Sequence, residues 1–314
     1  MLDVGCHSAL LTVVERRDDV PLRPVLARKV RLRLHETLDA NGRMDRSGVR
    51  SVQQAVARTL AADEGGSLPA VYAFATSVIR DAPNRDEVIA QVKRTTGTRL
   101  RVLSGEEEAR LAYVAARRWA DSDGVPLLVL DIGGGTVEIA AGTAGQPRTV
   151  RSLPLGARAV NRRWDLVDAV SSKRRLHEVR ERLRASLAEL GDDLPQAPRH
   201  GRILACSKTF TQLARLAAAR GTTAEGPDRL SLAEVREIVP VLAAMGPAGR
   251  AELPGISRHR AGQSLAGALV AETLMEMCGA DSVEISPWST REGLLLERLE
   301  RPESAPSAAR RGPG

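Results

Sequence analysis

Aromatic residues make up only 2% of this 314-residue chain. A surface that stacks nucleic-acid bases needs aromatic platforms, so this scarcity argues against a nucleic-acid partner. It also means that the core must be built from Leu, Val, Ala and Ile. Cysteine is scarce as well: Cys6, Cys206 and Cys278 lie far apart and show no metal-ligand spacing. His7, His35, His177, His200 and His259 are equally scattered and form no zinc pattern. No run approaches the roughly 18 apolar residues of a membrane span, and no basic region followed by an apolar signal segment opens the chain. The expectation is a reduced, cytoplasmic protein with no membrane partner. Lysine is nearly missing too. Lys29, Lys93, Lys173 and Lys208 are the only examples, so the net charge of +7 is carried almost wholly by arginine. Arginine binds phosphate as a bidentate fork, and the charge suggests an anionic partner. A bias toward Arg, Ala and Gly codons explains the same composition.

Against this background one stretch stands out. The apolar run from Val125 to Leu130 leads into Asp131-Ile132-Gly133-Gly134-Gly135-Thr136-Val137-Glu138. A strand ends in a carboxylate, turns through three glycines and restarts as a second strand bearing another carboxylate. Glycine lets backbone N–H groups approach an anion closely, and Asp131 and Glu138 could serve a cation or water beside it. Glycine-rich turns also occur in purely structural hairpins. A weaker copy of the plan, Asp3-Val4-Gly5-Cys6-His7-Ser8 followed by Ala9 to Val14, favours an internal duplication with a phosphate loop in each half. Met1 and Leu2 leave almost no strand ahead of Asp3, so a true start several residues upstream is expected, and intact-mass analysis of the native protein checks it.

The patterning alternates strands and helices and predicts an α/β fold. Strands are expected at 9–15, through 21–38, and at 71–76, 99–103, 125–131, 136–141, 148–153 and 282–285. Helices are expected at 45–62, 84–95, 104–120, 176–190, 209–219, 231–244, 260–278 and 291–299. The polar break Asp121-Ser122-Asp123-Gly124 suits a domain boundary, giving domains of 1–122 and 123–300. The Pro-, Ser-, Ala- and Gly-rich tail, 301–314, is expected to be disordered.

Several other constellations admit two readings. Ser104-Gly105-Glu106-Glu107-Glu108 is a capping box with acids in the first turn; alternatively, Glu108 faces a cleft as general base on water. Arg80, in Ala75 to Ala82, either clamps phosphate or pairs with Asp81 at the surface. Ser207 and Lys208, at a helix start, either bind an anion or merely cap the helix. Gly156, in Leu153 to Ala157, belongs to a turn of the same ambiguous kind, and Ser289 to Gly293 can be read as the cap of the final helix.

In this order the motifs resemble the exopolyphosphatase/guanosine pentaphosphate phosphohydrolase (Ppx/GppA) family. They are DVGCHS at 3–8, ATSVIRDA at 75–82, SGEEEARL at 104–111, DIGGGTVEIA at 131–140, SLPLGA at 152–157 and TREGLL at 290–295. The length resembles the short members without extra C-terminal helical domains. The resemblance implies two ribonuclease-H-like domains of the actin-like ATPase superfamily facing a central cleft. It implies Glu108 as catalytic base, Asp131 and Glu138 as acids for Mg²⁺ (or another divalent cation) and catalytic water, and phosphate contacts from Asp3, Gly5, Arg80, Gly133, Gly134, Gly135 and Thr136. Cys6, His7, Ser8, Gly156, Ser207 and Lys208 complete the expected phosphate site. The implied substrate is inorganic polyphosphate or guanosine pentaphosphate, with a homodimer possible. A non-catalytic sensor of these polyanions and a kinase of the same superfamily are the rivals. Cys6 and His7 stand where the family usually has Ser and Asn, Val137 replaces a Thr, and Cys206-Ser207-Lys208 replaces a glycine-containing turn.

Overall fold

The computed structural model describes residues 1–15, 22–61, 71–170, 172–221 and 226–300. The tail expected to be disordered, 301–314, and the first residue of the 21–38 segment lie outside the described residues. The first half comprises β1 (Leu2–Val4), β2 (Ser8–Glu15), β3 (Arg23–Arg31), α1 (Arg46–Leu60), β4 (Ala73–Ala75), α2 (Ser77–Arg80), α3 (Arg85–Thr96), β5 (Arg101–Val102) and α4 (Gly105–Trp119). The second comprises β6 (Leu127–Ile132), β7 (Val137–Gly142), β8 (Thr149–Leu153), α5 (Ala157–Trp164), α6 (Lys173–Ala188), β9 (Arg202–Cys206), α7 (Ser207–Ala219), β10 (Arg229–Ser231), α8 (Leu232–Ala243), α9 (Pro247–Ala251), α10 (Ser264–Met277), β11 (Ser282–Ile285) and α11 (Thr290–Glu300).

The internal duplication is visible in the sheets. Among the described residues the first sheet runs β3-β2-β1-β4-β5 and the second β10-β11-β9-β6-β7-β8. In each, three antiparallel strands join parallel ones at the strand that carries the Asp next to its last residue, β1 or β6. Asp3 and Asp131 therefore occupy corresponding places.

Local signals account for several helix ends. The Asp45 carboxylate accepts from the Gly48 N–H at 2.7 Å at the start of α1, and Gly97 ends α3 in the left-handed conformation. The Ser104–Glu107 capping box on α4 forms as the sequence suggests. Helices α5 and α9 are not among the expected elements, and two further segments depart from expectation. The strand reading of 21–38 ends at Arg31 because the next residues are drawn onto the first loop: the Leu32 and Leu34 N–H groups donate to the His7 and Cys6 carbonyls, and Leu34–Thr37 forms a 3-10 turn. The single helix expected over 260–278 is a 3-10 turn, Arg258–Gln263, followed by α10.

Alternation along β6 decides how the layers stack. Leu128, Leu130 and Ile132 face the larger core with α10, whereas Leu127 and Val129 face α4 through Ala109, Ala112, Tyr113 and Ala116. Helix α4, on the first-half side of Asp121, thus packs on the second sheet. Helix α11 returns across it, placing Leu294, Leu295 and Leu296 beside Phe74, Leu103 and Leu111. Gly293 permits this crossing: a Cβ there would lie 2.0 Å from the Leu111 carbonyl oxygen.

Candidate active site

The period-2 rule that puts Leu127 and Val129 on the α4 face puts Asp131 there as well. Glu138 is directly opposite Asp131 in the β6–β7 register, so the two carboxylates share that face. Glu108 is in the first turn of α4. Three acids from three elements converge in this way, each less than 9% exposed. Burial, reinforced by the charge of Glu138, pushes the Glu108 carboxyl well above the usual carboxylate range. Burial and then Asp131 raise Glu138 likewise. Asp131 is pushed up to about 6 by burial, against hydrogen bonding from Ser289 and attraction to Arg260. The Ser152 hydroxyl donates to Glu138 at 3.0 Å, and the Ser289 hydroxyl donates to Asp131. Ser289, read from sequence as a helix cap, thus has a second role that only its neighbour reveals.

Around these acids lies a cavity of about 320 Å³. It is lined by Asp3, Gly5, Cys6, His7 and Ser8 from the first loop, by Gly133, Gly134 and Thr136 from the second, and by Ser207 and Lys208 at the start of α7. The first loop is a tight turn, closed by the Gly5 N–H donating to the Ser8 carbonyl at 3.0 Å. Burial pushes Asp3 up to about 6, with Arg291 pulling the other way. In the second loop, the carbonyls of Gly133, Gly134 and Gly135 accept from N–H groups at the start of α5. Their own N–H groups at Gly134 and Gly135 are engaged by no backbone carbonyl among the described residues. A peptide loop held this way presents N–H groups to an anion.

Three residues expected at phosphate are not among those lining this cavity. Arg80 is outside the cavity lining: it forms an ion pair with Glu108 and donates to the Asp81 carboxylate at 2.9 Å and the Leu103 carbonyl at 3.3 Å. Gly135 faces a neighbouring pocket. Gly156 lies beneath the second loop, where a Cβ would sit 2.5 Å from backbone atoms of Gly135 and Thr136, so it is a packing glycine.

The sequence reading named Lys208 but not the three arginines beside it. Arg158, Arg260 and Arg291 line the cavity with Lys208, and Arg158 also approaches Cys6, with 2.7 Å from its guanidinium to Sγ. Arg158 follows the SLPLGA turn directly, so its place at a helix start was the available signal; Arg260 gave none. The reading of Cys and His as scattered is corrected too. Cys6 Sγ lies 3.5 Å from His35 Nδ1, His7 stacks on His35 with ring centroids 5.3 Å apart, and His259 meets His7 edge-on at 6.0 Å. The cause is the pinning of Leu32 and Leu34 onto the first loop, which carries His35 to Cys6. Burial, then Arg260 and Arg158, lowers the His7 imidazole to about 3.

A model of the Ppx/GppA phosphatase family matches residues 13–302. The chain belongs to this family. It is 37% identical to exopolyphosphatase 1 of Mycobacterium tuberculosis over 303 residues, covering 96% of this chain and 88% of the relative. With the guanosine-5'-triphosphate,3'-diphosphate pyrophosphatase of Aeromonas hydrophila it is 25% identical over 301 residues, 95% of this chain but 58% of that one. Among solved Ppx/GppA structures, the Aquifex aeolicus family member superposes with a TM-score of 0.79 at 24% identity, covering 95% of this chain and 96% of that one. A Cytophaga hutchinsonii exopolyphosphatase superposes with a TM-score of 0.82 at 20% identity, with 95% and 96% covered. These likenesses show that the α/β fold built on two sheets is the fold of those Ppx/GppA structures. Among the described residues no helix is long and apolar enough to cross a membrane.

Proposed function

We propose that this chain is an exopolyphosphatase that hydrolyses the terminal phosphoanhydride of inorganic polyphosphate. The observation that carries the reading is the convergence of Glu108, Asp131 and Glu138 with both glycine-containing loops on one cation-rimmed cavity. The terminal phosphate is held by loop N–H groups and by Arg158, Arg260 and Lys208. Glu108 takes a proton from a water molecule whose oxygen attacks the terminal phosphorus. The bridging P–O bond breaks, releasing orthophosphate and a chain one unit shorter. Burial raises the basicity of Glu108, and Arg80 holds it in place as an ion-pair partner. Asp131 and Glu138 offer the hard oxygen donors that suit Mg²⁺, and their clustered buried charge is what a divalent cation neutralises. When bound, such a cation supplies charge neutralisation along the phosphate chain.

Polyphosphate is favoured over guanosine pentaphosphate by the nearer relatives, which are named exopolyphosphatase 1. A second feature agrees. On the outer side of Arg80 a groove of about 920 Å³ is lined by Arg80, Arg85, Lys93, Arg99 and Arg101, with Asp86 as its one acid. Such a groove suits an extended polyanion.

The test is orthophosphate release with Mg²⁺ from short polyphosphate, long polyphosphate and guanosine pentaphosphate in parallel. Glu108→Gln should lower release at least about 100-fold, as loss of a general base does. Unchanged release in that variant sinks the mechanism. Binding without release in the native protein favours the sensor, with the altered Cys6-His7 loop as the cause.

A further inference from the structure

Cys6 and His7 are the two places where the first phosphate loop departs from the usual Ser and Asn, and the hydrolytic step proposed above is assigned to neither. We propose that Cys6, His7 and His35 form a binding site for a soft divalent transition metal such as Zn²⁺, separate from the oxygen donors at Asp131 and Glu138. Their ligand atoms lie within 4.8 Å of one another. Cys6 Sγ and His35 Nδ1 are already 3.5 Å apart. A tetrahedral zinc with Zn–S of ~2.3 Å and Zn–N of ~2.0–2.1 Å sets its S and N ligands roughly 3.5 Å apart, so this pair has the required bite. His7 completes the set by moving inward by about 1 Å, as a tetrahedral bite requires.

A second observation concerns His7 itself. Its Nε2 is buried and has no hydrogen-bond partner. Buried polar nitrogens are nearly always satisfied, and a metal ion is one of the partners that satisfies them. The donor set also selects the metal: thiolate with imidazole suits zinc, whereas carboxylates suit magnesium. Three protein ligands leave one position for water. Binding requires the Cys6 thiol to give its proton to solvent and Arg158 to leave Cys6 for the adjacent Gly134 loop, against which its guanidinium already lies. The site is independent of the catalytic reading, because its readout is metal uptake.

The experiment titrates the native full-length protein with Zn²⁺ in the presence of excess Mg²⁺, and separately with Co²⁺ as a spectroscopic substitute. One equivalent of zinc should bind, Co²⁺ should give a thiolate charge-transfer band, and zinc should slow alkylation of Cys6 by iodoacetamide. Cys6→Ser should abolish the band, and both Cys6→Ser and His35→Gln should weaken zinc binding more than tenfold, while Asp131→Asn should not. Failure of zinc to protect Cys6 in the native protein overturns the proposal without recourse to any variant. So does a zinc affinity that survives Cys6→Ser and His35→Gln but is lost in Asp131→Asn.

Discussion

At the residue scale, Ser207 shows what a substitution in a loop costs. It opens α7 with φ of 82°, in the left-handed region that glycine occupies freely and other L-residues do not. The Cys206-Ser207-Lys208 turn thus keeps a glycine-type backbone without the glycine. Ser207→Gly should stabilise the protein by about 0.5–1 kcal/mol, seen as a rise of about 2 °C in the thermal midpoint. No rise would mean that the Ser207 hydroxyl, which accepts from the Thr209 N–H at 3.2 Å, compensates for the strain. Gly156 and Gly293 are the converse. Both have ordinary φ, and both are required because neighbouring backbone occupies the space a Cβ would take.

At the scale of elements, the packing of α5, α8 and α9 depends on one buried cation. Arg250 in α9 is fully buried. Its guanidinium donates to four carbonyls: Leu242 at 2.8 Å, Leu166 at 3.2 Å, Val167 at 2.8 Å and Asp168 at 2.9 Å. Those carbonyls end α8 and follow α5, so the arginine ties two helix ends that otherwise share the backbone bond from the Val170 N–H to the Ala243 carbonyl at 2.8 Å. Arg250→Met fills similar volume but leaves backbone acceptors unsatisfied, and should cost about 2–4 kcal/mol in urea denaturation. A cost below 0.5 kcal/mol would show that those carbonyls find other partners.

At the scale of the whole molecule, two halves meet around clustered negative charge, and that charge is costly to fold without a cation. Burial pushes the Asp131 carboxyl from an ordinary 3.8 up to about 6 in the folded chain, so between these values the folded state holds more protons than the unfolded one. Stability must then fall as pH rises through that window. Metal-free protein in chelator should lose thermal stability from about pH 4 to 6, and Asp131→Asn should flatten this decline. A decline unaltered by Asp131→Asn would assign it to other groups. The outer groove makes a second whole-molecule prediction. Lys93→Glu combined with Arg99→Glu reverses two groove charges that are not part of the lining around the carboxylates. It should raise KM for long polyphosphate several-fold at low salt, lose that effect at high salt, and leave short chains nearly unaffected. Equal changes for both lengths would show that the groove does not track the chain.

The resemblance of their motifs to a family singled out the three acids. The sequence by itself determined the alternation of strands and helices, the duplicated Asp-x-Gly plan and the capping box on α4. These are legible because they rest on backbone preferences and periodicities that act over a few residues. Only the tertiary structure decided that α4 packs on the second sheet, which sets Glu108 against Asp131 and Glu138. It alone turned Arg80 toward Glu108, placed Gly156 beneath the loop, and gathered Cys6, His7 and His35 from positions up to 29 apart. The physical reason is common to all of these. Which apolar faces are buried together depends on the sum of contacts across the molecule, and polar side chains are carried to their neighbours by that packing.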